Sequence, residues 1–151
     1  YRLGITEYAK ELPFWLVEGI PTFYEIAPAT WQRPDRLALI EGLKRQNKLI
    51  EWETLLHLQV KDRDQLKDAS IHAAYAQSWL LTAYLLRPEN RGAFLVYLAS
   101  LKESGAAKHE EHLQTLMNNL KTTPSKLFSD IENDILKSGE DSIPISPQTK
   151  P

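Results

Sequence analysis

The residue with the clearest chemical demand is Glu18. It stands inside Leu12-Pro13-Phe14-Trp15-Leu16-Val17-Glu18-Gly19-Ile20-Pro21-Thr22-Phe23-Tyr24-Glu25, a stretch that is otherwise almost wholly apolar. Withdrawing an ionised carboxylate from water is costly unless a cation, a metal or good hydrogen-bond donors meet it. The simplest arrangement is a core helix whose Glu18 pairs with an Arg or Lys brought in from elsewhere. The histidines make a weaker case. His109-Glu110-Glu111-His112 sets its histidines at i and i+3, not at the i and i+4 of a zinc-binding H-E-x-x-H helix. It follows Gly105-Ala106-Ala107 and reads as an exposed, helix-opening segment. His57 and His72 stand singly and read as packed or surface residues. There is no Gly-rich phosphate loop and no nucleophile elbow. With no cysteine in the chain, disulfides, thiolate metal sites and cysteine nucleophiles are excluded.

A helix must hold Glu18. Pro13 suits a first helical position, where its missing N–H costs nothing. From there a helix is expected to about Ile26 or Ala27, stopped by Pro28. Positions 14, 18, 21 and 25 share one face, while 15, 16, 19, 20, 23 and 24 fill the rest. Such a helix is apolar nearly all round and should be buried.

The remaining elements follow from periodicity and from proline and glycine punctuation. Residues 1–11 read as a lead-in and 27–33 as a loop. Pro34 opens a helix that fades near Gln46-Asn47, with Leu37, Ile40 and Leu43 apolar. A short helix is expected around Trp52 to Leu58, and the charged run from Gln59 to Asp68 reads as a solvated loop. The second strong helix covers Ala69 to Leu86, with Ile71, Tyr75, Ser78, Trp79, Thr82 and Leu86 recurring at helical spacing. Further helices are expected over 89–104, capped by Gly105, over 108–120, and from Pro124 to Gly139 with Thr123 as N-cap. The last dozen residues hold three prolines and read as a flexible tail or linker over 139–151, after a helical domain over 1–138. No stretch alternates as a strand does. The expected class is all-α, an irregular bundle of about six helices.

Composition narrows the function. The 151 residues are 42% hydrophobic and 25% charged, with a formal net charge of −2. That near-balance leaves no electrostatic footprint for nucleic acid. No apolar run approaches the roughly 20 residues that a membrane span requires. Because the chain opens on Tyr1 rather than Met, it reads as a piece of something longer.

Two motifs carry a resemblance. Trp15-Leu16-Val17-Glu18-Gly19, followed by Phe23-Tyr24-Glu25, resembles the W-L-x-E-G-x-A-x-[YF]-x-E helix of the gluzincin (peptidase MA-like) metallopeptidases. Tyr75-Ala76-Gln77-Ser78-Trp79, with Leu81 and Leu85, resembles the Y-A-Q-S-W-x-L-x-x-x-L segment of uncharacterised bacterial peptidase-MA-like domains. The resemblance spans roughly Leu12 to Leu101. It implies that Glu18 is a zinc ligand, and that Tyr75, 57 residues later, faces the oxyanion of a tetrahedral intermediate. A phenol suits that task as a neutral donor whose hydrogen bond strengthens as charge gathers on oxygen. Tyr75 and Trp79, one turn apart, also fit an aromatic core pair. Glu25 matches the closing Glu of the first motif and is either structural or a support to the metal site.

Two features depart from the pattern. The chain contains no H-E-x-x-H, and Pro21 stands where the family has Ala. The resemblance therefore implies the C-terminal helical portion of a zinc metallopeptidase acting on a peptide or protein substrate. Its H-E-x-x-H helix would lie upstream. One carboxylate is not a catalytic zinc site, which takes three protein ligands, so the chain by itself is expected to be inactive. The alternative is a non-catalytic helical binding or scaffold module on the same fold.

Overall fold

The computed structural model describes residues 10–25 and 33–142. Among these, seven α-helices occur: α1 Phe14–Tyr24, α2 Pro34–Arg45, α3 Trp52–His57, α4 Asp68–Leu85, α5 Pro88–Ser104, α6 His109–Leu120 and α7 Pro124–Ser142. Two 3-10 segments, Val60–Gln65 and Gly105–Lys108, link α3 to α4 and α5 to α6. No strand forms among the described residues; an isolated antiparallel bridge joins Pro13 to Gln59. The fold is all-α. No helix among the described residues is long and apolar enough to cross a membrane.

Helix α4 is the hub. It packs against α1 most extensively, and also against α2, α5 and α7. Its alanines 73, 74, 76 and 83 are buried together with Trp79, Leu80, Leu81 and Leu85, so neighbours approach it on nearly every side. Small side chains permit that, and alanine has the highest helix propensity. Around this hub, α2 packs on α7 and α5 on α6.

Helix α1 is tied at its start. The Phe14 amide donates to the Leu58 carbonyl (2.8 Å) and the Val60 amide donates to the Leu12 carbonyl (3.0 Å). Pro13 occupies the cap position with extended backbone (φ −61°, ψ 133°). Phe14, Trp15, Leu16, Gly19 and Phe23 are buried. Trp15 packs against Phe94 and Tyr97 of α5, with ring centroids 6.2 and 5.9 Å away. The helix runs through Pro21, which is exposed, and the Thr22 hydroxyl donates to the Glu18 carbonyl (2.6 Å). A proline costs a helix one backbone hydrogen bond. Burial of the residues on both sides of it holds α1 together.

Three sequence expectations need correction. The charged run after Gln59 is not a structureless loop: the Asp62 carboxylate accepts from the Gln59 amide (3.2 Å), closing a capping box on the first 3-10 segment. Gly105, expected only to cap α5, opens the second 3-10 segment. The last helix does not stop at Gly139 but continues to Ser142. A glycine inside a helix costs about 1 kcal/mol against alanine, which need not end it. Residues 1–9 of the expected 1–11 lead-in, most of the 27–33 loop and the tail beyond Ser142 lie outside the described residues.

Candidate functional site

Glu18 is half-buried on α1. Among the described residues no lysine, arginine or histidine reaches its carboxylate, so the ion pair that the apolar surroundings suggest is not made there. Glu25 does have a partner, the Arg36 guanidinium at 3.3 Å, and is exposed.

The crossing of α1 and α4 sets what lies beside Glu18. Gly19 meets α4 so closely that a Cβ there would sit 2.7 Å from the Ser78 carbonyl oxygen and nearer still to the Thr82 hydroxyl. One turn before Glu18, the Phe14 ring meets the Tyr75 ring edge-on, with centroids 5.3 Å apart. The Arg63 guanidinium, from the first 3-10 segment, lies over the Tyr75 ring at 5.7 Å. The crossing thus sets Tyr75 against Phe14, one turn before Glu18. Tyr75 and Trp79 do not form the aromatic pair that their spacing allowed. Trp79 is buried, while Tyr75 is half-buried and turned towards α1 and Arg63.

The other residues of the two motifs have packing tasks. Trp15 fills the core against α5. Gln77 is fully buried; its Oε1 accepts from the Ile50 amide (2.8 Å) and its Nε2 donates to the Ile50 carbonyl (2.9 Å). Ser78 and Thr82 line the crossing, and both hydroxyls are buried without a hydrogen-bond partner. Unlike Trp15 and Gln77, Glu18 has no such task among the described residues.

A second cluster was not legible from sequence. His57 Nε2 lies 2.7 Å from the Glu110 carboxylate, and His109 Nε2 lies 2.9 Å from the Tyr97 hydroxyl. His57, His109, Glu110 and Glu111 line an open cleft of about 400 Å³ beside Pro13 and Gln59. His57 is therefore supported, and His109 is packed rather than exposed; His72 is on the surface. These partners lie on separate elements, so no local spacing announces them.

Burial pushes the His109 pKa below its ordinary 6.5; Glu110 opposes that shift, while His57 and His112 add to it. Burial also raises the Tyr97 hydroxyl, which stays neutral beside His109. As pH falls below about 6.5, the unfolded chain takes up a proton at His109 that the folded chain refuses, so stability should fall there. Urea midpoints between about pH 8 and pH 5 should decline, and His109→Gln should flatten the decline. An unchanged slope in that variant would remove His109 from the account.

Among the described residues, no group of three or more His, Cys, Asp or Glu is placed to hold a metal. No curated protein and no solved structure matches the chain. The sequence profile described as "Protein of unknown function (DUF1570)" matches residues 1–106, which include Glu18, Arg63 and Tyr75 and stop short of His109, and the chain belongs to that family.

Proposed function

We propose that this chain is the C-terminal helical portion of a gluzincin-like zinc metallopeptidase domain. Glu18 is the carboxylate it contributes to the metal, and Tyr75 is the phenol that faces the reacting carbonyl. The observation that carries this reading is Glu18 itself: a half-buried carboxylate on an apolar helix, with no cation in reach among the described residues. Burial without a partner is destabilising, and a group kept at that cost is a candidate for work on a ligand.

The remaining ligands would come from an H-E-x-x-H helix outside this sequence. A bound zinc would supply Lewis acidity towards a peptide carbonyl. What this chain contributes is position. The α1–α4 crossing keeps Glu18 and Tyr75 on adjoining rigid helices, and Phe14 braces the phenol. From there Tyr75 donates a hydrogen bond that strengthens as the substrate oxygen becomes negative.

The test is zinc content. The 151-residue chain, dialysed after zinc loading, should retain less than stoichiometric metal. The protein extended upstream should retain about one zinc per chain, and Glu18→Ala should remove it, because catalytic zinc needs its third ligand. An extended protein that binds no zinc, or binds it equally after Glu18→Ala, overturns the reading and leaves a non-catalytic helical module. Tyr75→Phe should keep the metal and lower kcat by about 10²-fold, the usual cost of one oxyanion donor.

A further inference from the structure

Arg63 differs from the other described arginines. Arg33 pairs with Asp35, Arg36 with Glu25, Arg45 with Glu41 and Arg87 with Asp134, and Arg91 donates twice to the Leu86 carbonyl. Arg63 meets no acceptor among the described residues, although Asp62 and Asp64 flank it in sequence. Asp62 is engaged instead with the Gln59 amide, and Asp64 is exposed.

The guanidinium is nevertheless held. Arg63 is half-buried, and its contact is the face of Tyr75. An aromatic face attracts a guanidinium without using its N–H donors. The five donors of the fork therefore remain available, on a side chain already partly ordered. Partial ordering lowers the entropy that an incoming acceptor must offset. The 3-10 segment that carries Arg63 packs against α1, and the capping box and the Val60–Leu12 bond hold it there.

We infer that Arg63 is a substrate-recognition residue that binds a peptide carboxylate beside Tyr75. This inference rests on the peptidase reading only for the identity of the ligand as a peptide. A carboxylate matches the guanidinium fork through two parallel N–H···O bonds, which an ammonium cannot reproduce. Glu18 helps to set the direction: its negative charge on α1 disfavours an acidic group close to it, so the substrate carboxylate is drawn to the Arg63 side of the phenol. The carboxylate has two sources, an acidic side chain or the free C-terminus of the peptide.

Binding by the 151-residue chain without metal tests this, read from the Arg63 Nε–H and Tyr75 ring signals in NMR titrations. Three probes separate the sources: acetyl-Ala-Ala-Ala with a free C-terminus, acetyl-Ala-Glu-Ala-amide, and acetyl-Ala-Ala-Ala-amide. One or both carboxylate peptides should shift the Arg63 and Tyr75 signals, and the tighter of the two identifies the source. The neutral amide should bind at least about tenfold more weakly, as the loss of a bidentate charged contact requires. Arg63→Gln should lose the preference, and Arg63→Lys should keep only part of it. Equal binding of all three probes, no binding of either acid, or an unchanged preference in Arg63→Gln would overturn the inference. Because no zinc and no hydrolysis enter the titration, its failure is separate from failure of the zinc test.

Discussion

Replacing Gly19 with alanine is expected to destabilise the fold by about 3 kcal/mol, the upper part of the usual range for overpacking a close-packed interior. For a chain of this length that corresponds to a fall in Tm of about 6–12 °C. The cause is local. The added Cβ would stand 2.7 Å from the Ser78 carbonyl oxygen and closer to the Thr82 hydroxyl, and a backbone carbonyl within α4 has nowhere to retreat. The two helices would have to separate, and the contacts of Phe14 and Trp15 would loosen with them. Thr82→Ala separates the two clashes. It removes one obstacle, along with a hydroxyl that is buried without a partner, but leaves the carbonyl. The double variant should therefore recover only part of the loss. Full recovery would mean that the Thr82 side chain alone sets the crossing distance. No loss in Gly19→Ala would mean that the helices can move apart at little cost.

This bears on what the sequence motifs report. Most residues in W-L-x-E-G and Y-A-Q-S-W serve the crossing or the core: Trp15 and Trp79 fill volume, Gly19 admits α4, and Gln77 fastens Ile50. A resemblance built on those residues reflects packing and does not by itself report chemistry. The proposed function rests instead on the residues that packing leaves over, Glu18 and Arg63, and on Tyr75, whose ring Arg63 covers.

The helices were legible because their signals are local. Pro34 and Pro124 open α2 and α7 where the sequence suggests, and Pro88 begins α5 one residue before the expected start. Ala-rich periodicity marks α4 to within a residue at either end. A charged run, by contrast, looks the same whether it is a loop or an exposed 3-10 turn, and the capping partner here is Gln59, not a typical cap residue. From sequence His109 reads as exposed because its neighbours are polar. The group that matters, Tyr97, comes from the preceding helix after the chain turns back. Arg63 gave no signal either, since its distinction is the partner it lacks among the described residues.

Gln77 provides the second large effect. Gln77→Leu keeps the volume of the side chain but strips the Ile50 amide and carbonyl of their partners, which should cost about 2–4 kcal/mol for two under-satisfied backbone groups. Gln77→Glu is the more telling change. At neutral pH a carboxylate at this fully buried position still accepts from the Ile50 amide, but it faces the Ile50 carbonyl with no proton to offer, and its charge is desolvated. Protonated, it offers one acceptor and one O–H donor, the same pairing that the amide makes. Burial therefore raises the folded-state pKa of the introduced carboxyl above its unfolded value of about 4.3. The sign follows from linkage: the native state holds the proton that the unfolded state releases, so stability is retained at low pH and lost as pH rises through the raised pKa. The urea midpoint of Gln77→Glu should approach that of the parent chain near about pH 5 and fall well below it at about pH 8, whereas the deficit of Gln77→Leu should stay constant over that range. A pH-independent deficit in Gln77→Glu would show that water reaches the Ile50 loop and that the buried amide clamp is not what holds it to α4.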